Sequence, residues 1–240
     1  MNRQLYTLNE LIFTIALAAL LLVSSSTLIS NEQGNAMKTH CLNNLKASAA
    51  AMAAYAADNN GYYLLYKHDK DTYQKKQTHV TWGFWMTQSG YLQDARNLIC
   101  PAGDPDGVSS KNNRFQLNTY GVLVASEIMP YYRGSQDRNY RCILGAKTTP
   151  DKTIMLIDSL DLKNFKQSYS YQFRFQNGSV AQQRHDFQIN LADFSGAAKS
   201  LTAEEWAADL AVDCRRTSVK PKQAFYADND GSVQSQTINY

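Results

Sequence analysis

Apolar residues crowd one end of this chain. Residues 11–31 carry no formal charge, and a single carboxylate, Glu10, stands at the head of the run. About twenty uncharged residues is the length a helix needs to cross a bilayer core, at roughly 1.5 Å per residue. Residues 36–57 are Ala-rich and free of Gly and Pro, with Met37, Cys41, Leu45, Ala49, Met52 and Tyr55 at three- or four-residue steps. That spacing predicts an amphipathic helix. Only residues 30–35, with Asn31 and Gly34, interrupt the pattern, and Asp58, Asn59, Asn60 and Gly61 end it with a turn sequence. The expectation is a nearly continuous helical spine with a soft spot at 30–35, a membrane-spanning half over 6–30 and an amphipathic half over 31–60.

After Gly61 the periodicity changes to short β-branched and aromatic runs between turn sequences. Residues 153–157 read as a central strand, 169–175 alternate as a half-exposed strand does, and 232–238 form a further candidate. Residues 82–90 read as a short helix. Residues 202–213 read as another, with Thr202 as N-cap, Glu205 completing a capping box, and Trp206, Leu210 and Cys214 on the buried face. The predicted fold class is therefore α+β: a long N-terminal spine helix packed against a small antiparallel β-sheet head, residues 61–240, with extra short helices.

Charge and chemistry refine this picture. The chain has 240 residues and a net charge of +3 with mixed signs throughout, so it lacks the basic stripe that binds nucleic acid. Arg3 is the only charged side chain before Glu10, which assigns the N-terminus to the cytoplasm and everything after Ser30 to the outside. A secretory signal peptide cut near Ser24, Ser25 and Ser26 is the other reading of the same segment. Cys41, Cys100, Cys142 and Cys214 contain no CxxC pair; outside the cytoplasm they can form up to two disulfides, in three pairings, or stay as buried thiols. Acidic turns at 58–61, 104–107 and 228–231 raise calcium, with Asp228 and Asp230 as ligands, although none matches an EF-hand loop. Arg184, His185 and Asp186 are adjacent, and neighbours on a strand point to opposite faces. With no Gly-x-Ser-x-Gly elbow and no second His at metal-ligand spacing, His185 reads as structural and no catalytic set emerges. The chain is expected not to be an enzyme.

Tyr6-Thr7-Leu8-Asn9-Glu10-Leu11 and the apolar run after it resemble the prepilin-type cleavage and methylation motif of type IV pilins and type II secretion pseudopilins. Residues 41–46 and 55–62 resemble the second half of the spine helix in major-pseudopilin-like proteins. Residues 90–92, 98–101 and 153–159, and Arg184-His185 with Asn190, Asp193 and Gly196, resemble the group with an extended head. Leu5 stands where the family has Gly, Asn9 where an apolar residue is usual, and Ala197 where the group carries His. The resemblance implies a leader over 1–5, cleavage between Leu5 and Tyr6 by a prepilin peptidase, and an assembly role for Glu10 paired with the Tyr6 amine. It further implies a single-pass protein of the bacterial inner membrane with a periplasmic or extracellular head. Its partners are then other pilin or pseudopilin subunits in a pseudopilus or pilus-like filament. No cofactor is expected beyond calcium in a head loop. The alternative function is an anchored or secreted ligand-binding protein that takes glycans on the Tyr and Trp residues of the head.

Overall fold

The computed structural model describes residues 7–69, 78–103, 118–123, 140–144, 150–174, 176, 178–214 and 220–240. In chain order the elements are α1 (Leu8–Asp58), β1 (Tyr62–Asp69), β2 (Thr78–Thr81), α2 (Trp82–Gln88), a 3-10 turn (Ala95–Leu98), β3 (Val122–Leu123), β4 (Tyr140–Leu144), β5 (Ile154–Ile157), β6 (Ser159–Asp161), β7 (Ser170–Tyr171), β8 (Ser179–His185), β9 (Gln188–Asp193), β10 (Ala198–Leu201), α3 (Ala203–Cys214), β11 (Gln223–Ala227) and β12 (Val233–Thr237). The chain divides into two units, Met1–Met37 and Lys38–Tyr240, with α1 contributing to both.

In the first unit α1 opens with a capping box. The Thr7 backbone N–H and hydroxyl donate to Glu10 Oε2 at 2.8 and 3.0 Å, and the Glu10 N–H donates back to Thr7 Oγ1 at 3.4 Å. These bonds hold the Glu10 carboxyl below its usual range. The acid at the head of the apolar run is thus explained locally, as the closure of a helix N-terminus. Leu8, Leu11, Ile12, Phe13, Ile15, Leu17, Leu20 and Leu21 are exposed.

Two expectations are corrected at this point. Among the described residues no helix is long and apolar enough to cross a membrane, so the membrane-spanning half-helix and the single-pass inner-membrane location are not supported. Leu5 and Tyr6 lie outside the described residues.

In the second unit α1 buries Cys41, Leu45, Ala49, Met52 and Tyr55 of the stripe that the three- and four-residue spacing predicts, whereas Met37, its first member, is exposed. Burying a Leu- or Met-sized side chain contributes roughly 1.5–3 kcal/mol. Leu64, Trp82, Met86, Leu98, Tyr120 and Leu156 complete that core. The helix ends where the turn sequence predicts: Asn60 and Gly61 take φ of 55° and 80°, and the Gly61 N–H donates to Ala56 O at 2.8 Å. No break interrupts α1 at residues 30–35.

The strands correct the small antiparallel sheet. Among the described residues the largest sheet has seven strands and is mixed, with order β10-β9-β8-β11-β12, β5 added on β9 and β6 on β8. β11 runs parallel to β8, because β9, β10 and α3 supply the long crossover a parallel neighbour requires. A three-stranded sheet, β2-β1-β4, and the parallel pair β3-β7 complete the set. A second core cluster, including Ile157, Phe173, Leu191, Trp206 and Leu210, lies under α3. The Thr202–Glu205 capping box forms as expected, with the Thr202 N–H and hydroxyl 2.8 and 3.1 Å from Glu205 Oε2.

Candidate functional site

Four side chains distant in sequence converge in the second unit. Cys41 comes from α1, Cys100 follows the 3-10 turn, Asp158 separates β5 from β6, and His185 closes β8. All four are buried, and one ligand atom from each lies within 4.8 Å of all the others.

Each position has a local cause. Cys41 sits one helical step before Leu45 on the buried stripe. The Cys100 N–H donates to Gln167 Oε1 at 3.0 Å, and its carbonyl accepts the Gly103 N–H at 2.9 Å. A Cβ on Gly103 would meet Cys100 O at 3.1 Å and Arg184 Nη1 at 3.2 Å, so a side chain there would crowd the turn. Asp158 stands where one extended segment changes partners, from β9 to β8. Its N–H donates to Asn190 O at 2.8 Å and its carbonyl accepts the Gln182 N–H at 2.9 Å, which spares the carboxylate for other work. His185 is fixed by the hairpin after it, where Asp186 and Phe187 take φ of 49° and 56°, the positive angles of a type I′ turn.

The contacts inside the cluster are close. Cys100 Sγ is 3.0 Å from His185 Nε2, and Cys41 Sγ is 3.9 Å from Asp158 Oδ2. The Tyr120 hydroxyl lies 3.3 Å from Cys41 Sγ and 3.1 Å from the carbonyls of Cys41 and Ile99. Arg184 Nε donates to both Asp158 oxygens, at 3.1 and 3.2 Å, and its Nη2 to Ser159 O at 3.3 Å. Burial and the Asp158 charge push the Cys41 thiol up, but hydrogen bonds from Cys100, His185 and Tyr120 outweigh them and bring it to about 7. Burial, reinforced by Cys41 and Asp158, pushes the Cys100 thiol well above its usual range. The two sulfurs therefore differ in character, one an acceptor and the other a donor.

Compared with protein-family models, curated proteins and solved structures, the chain matches none. The resemblance to type IV pilins and pseudopilins is therefore not upheld. No family match supports it, no described helix is a membrane span, and the head is a mixed sheet. The prepilin motif, methylation and secretion-system readings fall with it.

The residues singled out from the sequence scatter. Cys41, Cys100 and Cys214 are buried thiols that no disulfide joins; the Cys142 side chain lies outside the described residues. Asp228 and Asp230 are occupied by their own turn, Asp228 Oδ1 accepting the Asn229 N–H at 2.7 Å and Asp230 Oδ1 the Ser232 N–H at 2.8 Å. Residues 104–107 lie outside the described residues. Trp82, Trp206, Tyr120 and Tyr171 are fully buried, so these aromatics fill cores and offer no platform to a sugar. Sequence reasoning missed Asp158 altogether as a site residue, and did not join Cys41, Cys100 and His185. One sequence feature points to Asp158: an acid that directly ends the wholly apolar run of β5 is placed for burial.

Proposed function

We propose that this protein is a metal-binding, non-enzymatic domain in which Cys41, Cys100, Asp158 and His185 hold one divalent ion of the zinc class, fastening α1 to the sheets. The observation that carries the proposal is the convergence of two sulfurs, one imidazole and one carboxylate, all buried, within 4.8 Å of one another. Two thiolates with nitrogen and oxygen suit zinc. Tetrahedral zinc, with bonds of about 2.0–2.3 Å, sets its ligand atoms roughly 3.3–3.8 Å apart. To reach that geometry the 3.0 Å Cys100–His185 contact must open by a few tenths of an ångström and the wider separations, up to 4.8 Å, must shorten by about 1 Å or less.

Charge supports the same reading. Two thiolates, a carboxylate and a neutral imidazole surrounding a divalent ion leave one net negative charge. Arg184, almost buried against Asp158, supplies one positive charge. A buried site is tolerable when its charges cancel and its ligands are held from behind. Gln167 on the Cys100 backbone, Tyr120 on Cys41 and Arg184 on Asp158 provide that support.

Cys100 and His185 are as close as a nucleophile and its base. Both are buried, however, and Cys100 is 0% exposed, so the sulfur is not presented to a substrate on the surface. Four ligands also close the coordination sphere, the mark of a structural ion rather than a catalytic one.

The test is elemental analysis of the full chain purified under reducing conditions, beside the Cys100→Ser and His185→Ala variants. Wild type is expected to carry about one zinc per chain, and each variant a small fraction of that. Metal-free wild type that cannot be loaded with zinc after folding contradicts the proposal.

A further inference from the structure

We propose that Cys41 and Cys100 are a latent disulfide pair, and that peroxide converts the metal site into a crosslink that expels the ion. The release step rests on the metal reading above; the pairing stands on the thiols alone.

Among the three cysteines whose side chains are described, the pairing has one geometric solution. Cys41 and Cys100 share the first core cluster and the metal-site distance limit, whereas Cys214 lies in the second cluster with Trp206 and Leu210. Their sulfurs are within 4.8 Å, and the disulfide forms when that separation closes to about 2.05 Å.

The chemistry balances without stranding a charge. One thiolate attacks an oxygen of hydrogen peroxide; the O–O bond breaks, a sulfenic acid forms, and the departing hydroxide takes a proton from solvent to become water. The second thiolate then attacks the sulfenic sulfur. The S–O bond breaks, the S–S bond forms, and the second hydroxide takes another proton. Two electrons pass from sulfur to peroxide, both metal–sulfur bonds are lost, and the ion leaves as a dication. The Asp158 carboxylate keeps its Arg184 partner at 3.1 Å, so the vacated site retains a matched ion pair. The two thiolates, which needed the ion, have become a neutral disulfide.

Burial also selects the oxidant. Both sulfurs are 0% exposed. A small neutral oxidant such as hydrogen peroxide reaches them by local opening, while glutathione disulfide, which must bring a bulky sulfur into line with the attacking thiolate, is excluded.

The experiment uses full-length, zinc-loaded protein and a chromophoric chelator, with intact-mass measurement and peptide mapping. Hydrogen peroxide is expected to release the zinc as the mass falls by two hydrogens and a Cys41–Cys100 crosslinked peptide appears; Cys214→Ser protein should behave identically. Glutathione disulfide at the same concentration is expected to leave the zinc in place. Zinc release without the Cys41–Cys100 peptide, a crosslink to Cys142 or Cys214 instead, or equally fast release by glutathione disulfide overturns the inference. If the wild type takes up no zinc, the metal reading fails separately. The apoprotein then decides the pairing, which stands if peroxide yields the Cys41–Cys100 peptide and falls if it does not.

Discussion

Arg184 and His185 are neighbours on β8, yet both side chains reach one cluster: Arg184 Nε is 3.1 Å from Asp158 Oδ1, and His185 Nε2 is 3.0 Å from Cys100 Sγ. Strict alternation would send them to opposite faces. The β8–β9 ladder, however, shifts register between Gln183 and His185, and the irregularity frees Arg184 from the pleat. Bulges of this kind re-aim side chains beside functional sites.

The Arg184–Asp158 pair is a buried ion pair, with side chains 12% and 0% exposed. Removing one partner leaves the other charge buried alone, a loss of about 3–5 kcal/mol. Arg184→Met is expected to lower the unfolding free energy by roughly that amount in denaturant titration. A change below about 0.5 kcal/mol would show that water compensates Asp158.

Phe187 is the weak point of the hairpin that aims His185. It is 65% exposed and holds a φ of 56°, a conformation that suits glycine or asparagine. Phe187→Gly removes no buried contact of consequence and relieves the strain, so it is expected to stabilise the protein by about 1 kcal/mol. Thermal unfolding measures it, and a lower midpoint would mean the ring makes a contact worth more than the strain.

Thr202 and Glu205 cap α3. Thr202→Ala should cost about 1 kcal/mol. Hydrogen bonds from Thr202 hold the Glu205 carboxyl below its usual range, so its contribution is full above the unfolded-state value, about 4.3, and is lost as pH falls through the lower folded-state value. Accordingly, the stability difference between wild type and Glu205→Gln is expected at pH 7 and should vanish in stronger acid. A difference that is constant from pH 7 to pH 3 contradicts the assignment.

Local elements were legible because their causes are local. The helical stripe from Cys41 to Tyr55, the stop at Gly61, the apolar strand β5 and the Thr202–Glu205 box each follow from a few neighbouring residues. Residues 169–175 read as one alternating strand, but among the described residues of that stretch the strand is Ser170–Tyr171, paired with β3. The apolar run after Glu10 suggested a membrane and a family, yet Glu10 is bound to Thr7 three residues away. A T-x-x-E box explains an acid at a helix start without either.

The cluster was hidden for a different reason. Its four ligands are separated by 59, 58 and 27 positions, so no spacing rule reaches them. Asp158 reads as a strand end until β5 and β6 are seen to pair with different neighbours, and His185 reads as isolated until the bulge is known. These are properties of the tertiary fold.

X-ray absorption at the zinc edge of the reduced, full-length protein tests the central claim most directly. The account predicts a four-coordinate ion with two sulfurs near 2.3 Å and two nitrogen or oxygen atoms near 2.0–2.2 Å. A first shell containing no sulfur would contradict it.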